Sequence, residues 1–318
     1  MSYAITTAQV QQYKTNVAML LQQQGSRLRS TVRNETFMGK AASMVEQFGS
    51  VSAQLVTSRH SDTPLISVPQ DRRWIFPRDY VWADLVDKVD KLRLLIDPTS
   101  QYAMAGAWAM GRAIDDEIIS GVFNSNATGE NGTTPTGLLS AFGGGSQVVA
   151  GNVGASAATG LNIAKLRRAK LILYASEVDI DTEEMYVAIT AKQHDDLLNE
   201  TQAISLDYNS KPVLVDGKID TFMGFKFVHS ERIPGGASFN AALNPNILTG
   251  STDGTYATNS RFMVPFWCKS GVVMGAWNDI KTSVDLRPDK MNATQVMVTG
   301  TFGASRTEEK RVGFINCI

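Results

Sequence analysis

The segment from Ala83 to Asn124, ADLVDKVDKLRLLIDPTSQYAMAGAWAMGRAIDDEIISGVFN, contains one sharply started, long, alanine-rich helix. Asp97 offers a carboxylate to the free N–H groups of a first turn, and Pro98 a ring whose fixed φ suits the first helical position. Downstream, Tyr102, Ala105, Ala109, Ala113, Ile118, Ile119 and Val122 give an apolar face; Arg112, Asp115, Asp116 and Glu117 give a polar one. The run ends at Phe123-Asn124, where Gly, Asn and Thr take over. A helix of about 25 residues is about 37 Å long at its usual rise. That length suits a structural spine better than the wall of a small-molecule pocket.

Charge narrows the field of functions. With 318 residues, 19% of them charged, and a net charge of −1, the chain has no basic field for tight nucleic-acid binding. Cys268 and Cys317 are the only cysteines, too few for a disulfide framework or a four-thiolate zinc site. The N-terminal residues lack a basic head followed by an apolar run, and no segment approaches the roughly 20 apolar residues of a membrane-crossing helix. A soluble protein made in a reducing cytoplasm, without membrane partners, is expected.

Residues 1–48, rich in Gln, Ser, Thr and Arg with patchy periodicity, read as an arm that makes no core of its own. Residues 49–80 read as a long β-hairpin, with LISV and RRWIF as extended runs bordered by prolines. Two strands alone are marginal in water, so the hairpin is expected to pack on a neighbouring subunit. Ser125 to Gly160 is a Gly/Ala/Ser/Thr/Asn stretch too long for an ordinary connection. LNIAKLRRAKLILYAS follows as a helix with Leu161, Lys165, Ala169 and Leu173 on one side. MYVAIT is a buried strand, and AKQHDDLLNE opens a helix immediately after it. KPVLVDGKID and FMGFKFVHSERIP read as strands with turns at Asp216-Gly217 and Pro234-Gly235-Gly236, and residues 261–277 as two short core strands. The tail from Lys281 is strand-like, with a polar turn at Arg287–Lys290. The class is α+β, with one unit inserted into another.

Arm, hairpin, spine helix, inserted α/β domain and return strands, in that order, resemble the tailed-bacteriophage major capsid proteins with the HK97 fold. The stretches that carry the likeness are DPTSQYAMAGAWAMGRAIDDEIISGVF, YVAITAKQHDDLLNE and the tail from VVMGAWNDIKTSVDLRP onward. The DP-started helix looks most like the capsid proteins of certain short-tailed phages. The resemblance implies an N-arm over 1–48 and an E-loop over 49–84. It implies a peripheral domain over 85–159, holding the spine helix and Gly-rich loop, an axial domain over 160–277, and peripheral return strands over 278–318. It further implies hexamers and pentamers of an icosahedral shell around double-stranded DNA, in a virion assembled in the host cytoplasm. Implied partners are a separate scaffolding protein, a portal and a decoration protein, with weak contact to packaged DNA. Some members join subunits by an isopeptide bond from an E-loop lysine. Here Ala41 to Asp87 contains no lysine, so a non-covalent shell is expected.

Arg59, Arg72, Arg73 and Arg78, with Trp74 and Phe76, are the expected inter-subunit contacts, because Arg and aromatics are enriched at buried interface centres. Their expected partners are Asp115, Asp116 and Glu117 of a neighbour, and charge reversal at Arg72 and Arg73 is expected to block assembly. Arg27, Arg29 and Arg33 in the arm are expected to contact a neighbouring subunit, with DNA the lesser alternative. The basic run Lys165, Arg167, Arg168 and Lys170 reads as a solvated face. His60, His194 and His229 lie in different segments without metal-ligand spacing, and no nucleophile turn accompanies His194-Asp195-Asp196. The Gly-rich stretch lacks the phosphate-loop pattern. No catalytic residue, cofactor or metal is expected. An encapsulin-type compartment shell and, further off, a cytosolic α/β enzyme are the rival readings.

Overall fold

The computed structural model describes residues 22–40, 42–49, 51–55, 58–59, 63, 65–86, 99–136, 147–179, 181–200, 219–233 and 262–318. Two long strands organise it. β12 (Val272–Arg287) and β13 (Ala293–Arg306) pair antiparallel from Val272 opposite Arg306 to Arg287 opposite Ala293. Strand β4 (Arg78–Val86) adds antiparallel to β13 and β1 (Arg33–Thr36) parallel to β12, giving the order β1-β12-β13-β4.

Helix α1 (Thr99–Phe123) packs on this sheet. Gly106 and Gly121 let it approach closely. A Cβ at Gly106 would lie 2.6 Å from Trp82 and Val298, and one at Gly121 2.9 Å from the Ala304 backbone. The expected 25-residue spine is therefore present, while its capping residues Asp97 and Pro98 lie outside the described residues. Of the expected apolar face, Ile118, Ile119 and Val122 are buried as expected, and the N-terminal part differs. Gly106, Met110, Gly111, Ile114, Ile118 and Val122 are buried, and Tyr102, Ala105, Ala109 and Ala113 only half-buried. Asp115 and Glu117, expected on the polar face, are buried too, because each is surrounded by donors from its own chain.

A six-stranded sheet has the order β7-β14-β11-β8-β10-β9. Its strands are β7 (Val148–Val149), β8 (Met185–Ile189), β9 (Thr221–Phe222), β10 (Phe225–His229), β11 (Phe262–Cys268) and β14 (Val312–Cys317). Along β8, Tyr186 and Ala188 face one core, shared with Ile114, Ile118 and Trp267. Met185, Val187 and Ile189 face the other, shared with Leu166, Leu173 and Leu197. Those last three come from α2 (Ile163–Ala175) and α3 (Ala191–Leu198). Burial on both faces is why these strands read as unbroken apolar runs.

This sheet also takes in the C-terminus. Residues 278–318, expected as peripheral return strands, divide between two sheets, since VGFINC in β14 is nearly all buried and pairs with β11. The expected boundary at residue 277 falls inside β12. FMGFKFVH, read as one strand, is a hairpin turning at Met223 and Gly224 (φ 53° and 86°). Residues 211–218 and the turn at 234–236 lie outside the described residues.

A third sheet, β2-β3-β5-β6, joins β2 (Ala42–Phe48), β3 (Gln70–Ile75), β5 (Asn126–Thr128) and β6 (Thr134–Thr136). The hairpin partner of RRWI is thus β2 and not LISV, which forms no strand.

Candidate assembly surfaces and the buried ionic joint

In β3, period-2 alternation puts Arg73 on the same face as buried Ile75. Its guanidinium donates to Glu309, and both side chains are 1% exposed. Beside them Arg306, fully buried at the end of β13, donates through Nη1 to the carbonyls of Val122 and Asn124, both at 2.7 Å, and through Nη2 to Thr136 at 3.1 Å. A guanidinium thus satisfies the orphan carbonyls at the C-terminus of α1. Burial lowers the Arg306 pKa to about 10, leaving it charged, and pushes the Glu309 carboxyl up against the pull of Arg73 and Arg306. The root of the β2–β3 hairpin, the end of the spine and the β13–β14 corner form one joint.

The three acidic positions of α1 all work within the chain. Asp115, fully buried, accepts from the side chains of Gln23 and Ser26 and from the backbone N–H groups of Arg27 and Leu28, both at 3.1 Å. Asp116 takes a forked pair from Arg232, which raises the arginine's pKa. Glu117 accepts from Arg78 at 3.0 Å and from the Tyr80 hydroxyl; burial, reinforced by Glu117, raises the phenol's pKa. Nothing in the local pattern signals these partners, which lie far away in sequence.

The arm arginines are engaged as well. Arg27 donates to the His229 carbonyl at 3.0 Å, Arg29 forks onto Asp279 at 3.1 Å, and Arg33 pairs with Glu35. Lys165, expected on a solvated face, is buried. Its ammonium donates to the carbonyls of Thr159, Gly160 and Asn316 at 2.6, 2.8 and 2.9 Å, and burial lowers its pKa. It ties the C-terminal strand to the start of α2. Its position on the Leu161–Ala169–Leu173 face was the available signal. Burial pushes both thiols, Cys268 and Cys317, up to about 12. Among the described residues, no group of three or more His, Cys, Asp or Glu could hold a metal ion, and no helix is long and apolar enough to cross a membrane. His60 lies outside them.

The remaining expected contacts face outward or lie near the surface. Arg59 and Phe76 are exposed; Arg72 pairs with Glu46 and stacks 5.8 Å from the Trp74 ring, whose indole N–H donates to Gly129 at 2.8 Å. Between β2 and β3, Leu55 is 89% and Leu65 101% exposed, with Val51, Ile66 and Val68 also open.

The family described as phage capsid protein matches residues 5–318. The chain belongs to that family. No curated protein sequence matches it. Among solved structures, the capsid of cyanophage P-SCSP1u superimposes with a TM-score of 0.69 at 16% identity, covering 100% of this chain and 95% of that one. The acid-stable capsid of Helicobacter pylori bacteriophage KHP30 gives 0.70 at 10% identity, covering 100% and 98%. The capsid of a native GTA particle gives 0.63 at 14%, covering 99% of each. The protein is a tailed-phage major capsid protein with an HK97-like fold, located in the virion shell.

Proposed function

We propose that this capsid protein assembles into hexamers and pentamers of an icosahedral head enclosing double-stranded DNA, with no catalytic activity of its own. The segment before β1 acts as the N-arm, and β2, β3 and the strap between them as the E-loop. The β1-β12-β13-β4 sheet with α1 forms the peripheral domain, and the six-stranded sheet with α2 and α3 the axial domain. The observation that carries this is the open strap between β2 and β3, whose Leu55 and Leu65 are covered by no described part of their own chain. Burying each such side chain against a neighbour contributes about 1.5–3 kcal/mol. Arg59 within the strap, and Arg72, Trp74, Phe76 and Arg78 beyond it, complete that contact.

Arg73, Asp115, Asp116, Glu117 and the arm arginines Arg27, Arg29 and Arg33 serve instead to hold the subunit together. Charge reversal at Arg73 therefore tests folding, whereas reversal at Arg72 tests assembly. Because Ala41 to Asp87 carries no lysine, the shell is held without covalent links. A separate scaffolding protein, a portal and an external decoration protein complete the particle, and packaged DNA is touched weakly.

Negative-stain microscopy and sedimentation of the expressed chain, with and without a scaffolding partner, test the reading. Closed shells containing nucleic acid are expected. A compact monomer that never associates overturns it, and shells filled with a protein cargo point to the compartment alternative. Unheated SDS gels of assembled shells are expected to show monomer only; covalent ladders refute the non-covalent shell.

A further inference from the structure

Helix α2 buries one face and leaves the other in solvent, and the open face is not simply polar. Leu166, Ala169, Ile172 and Leu173 sit in the core, while Arg167, Arg168, Leu171 and Tyr174 share an exposed arc of about 120° at the helical repeat. Leu171 is 51% and Tyr174 54% exposed. Neither Arg167 nor Arg168 has an ion-pair partner among the described residues.

The complement of this face lies just beyond the C-terminal end of the same helix. The sequence EVDIDTEE over 177–184 divides into two sets. Glu183 and Glu184 are anchored, the first to Arg311 and Ser270, the second to Lys226, Lys269 and Tyr186. Glu177, Asp179 and Asp181 are exposed and form no ion pair among the described residues. Val178 is buried beneath them, and its N–H donates to the Leu173 carbonyl at 3.2 Å. Of the three exposed carboxylates, Asp179 also accepts from the Thr182 hydroxyl at 2.6 Å, and the others flank it.

The geometry points to a head-to-tail contact between copies of this chain: the Arg167–Arg168–Leu171–Tyr174 face of one subunit receives Glu177, Asp179 and Asp181 of the next. This rests on the assembly reading above and names one of its contacts. Two different patches of one chain that fit each other form a heterologous interface, which closes into a ring when the rotation between copies permits. A second copy is favoured over nucleic acid for two reasons. Phosphates make no use of the half-exposed Leu171 and Tyr174 within the patch, and the chain's net charge of −1 supplies no supporting positive field.

A charge swap tests it, with Arg167→Glu/Arg168→Glu, Asp179→Arg/Asp181→Arg, and the four changes combined. Shell yield is read by sedimentation and microscopy alongside wild type, with thermal melts of the soluble subunit as the folding control. Each reversed pair is expected to lower shell yield roughly tenfold or more, since like charges then face each other across the contact. The combined swap, and a mixture of the two double variants, are expected to recover most of it. Wild-type yield from either reversed pair overturns the contact, as does a combined swap and mixture no better than the reversed pairs. Normal shells lacking DNA from the Arg167/Arg168 variant overturn it in favour of a nucleic-acid face. Failure of the wild-type chain itself to form shells refutes the assembly reading and is distinguishable from all of these.

Discussion

At the root of the β2–β3 hairpin, Arg73, Glu309 and Arg306 sit in the dark and hold three distant segments of one chain together. Further out along the same hairpin, Leu55 and Leu65 stand in solvent with nothing described against them. Sequence intuition runs the other way, assigning charged groups to contacts between subunits and leucines to the interior. The difference has a physical source. A charge pair is directional and fails if one member is displaced, so it suits a joint whose geometry must be the same in every copy. Apolar burial is non-directional and tolerates small changes of angle, which suits the inter-subunit contact proposed for the strap.

The largest effect is expected where the joint loses one member. Arg73→Ala leaves buried Glu309 with only the more distant Arg306, 3.9 Å away, as counter-charge, and should cost about 3 kcal/mol in the denaturation of the isolated subunit. Arg73→Met combined with Glu309→Leu should recover only part of that loss, because buried Arg306 then keeps its carbonyl partners but loses its carboxylate. If Arg73→Ala unfolds at the wild-type denaturant concentration, the joint is not buried in solution and the comparison with the strap fails.

Next comes the anchor of the arm. Asp115→Ala removes the acceptor for two side chains and two backbone N–H groups over residues 23–28. Leaving such donors unpaired should cost about 1–3 kcal/mol. Limited proteolysis should then cut within 22–30 at protease levels that spare the wild type. Equal resistance would show that Leu28, Val32 and the Arg29–Asp279 fork hold the arm without the carboxylate.

Much of this molecule follows from local pattern. The α1 helix, β8 followed by α3, and the β12, β13 and β14 runs each obey a period that a short window contains. The buried charges do not. Asp115 answers to residues near 25, Arg73 to Glu309 and Lys165 to Asn316, and no window spans those separations. LISV departs from its pattern for a related reason: its β-branched composition suits a strand, but β3 takes β2 as its partner and LISV forms no strand. What the pattern did offer was parity, since Arg73 shares a face with Ile75 and Lys165 with Leu161 and Ala169. A charged residue in register with an apolar face was the sign that something distant would meet it.

A smaller, pH-dependent effect is expected at Glu184. Hydrogen bonds from Lys226 and then Tyr186 hold its pKa down to about 2, below the ordinary 4.5. A depressed carboxyl contributes fully above the ordinary value and loses that contribution as pH falls through the folded one. Subunit stability should therefore decline between about pH 4.5 and 2 more steeply in wild type than in Glu184→Gln. The pair is half-exposed, so salt should flatten the difference. Parallel acid limbs for the two proteins would remove Glu184 from the acid response.

The smallest effect on the subunit should come from the strap, and that smallness is the point. Leu55→Ser with Leu65→Ser changes two side chains that touch almost nothing in their own chain, so the isolated subunit should melt within about 0.5 kcal/mol of wild type. Shell yield should nevertheless fall sharply if the proposed contact holds, because burial against a neighbour is then lost at every copy. A variant with an unchanged melt and an unchanged shell yield would place the strap outside the assembly interface. A variant with a lowered melt would mean that the strap folds back on its own subunit, and the contrast with the ionic joint would vanish.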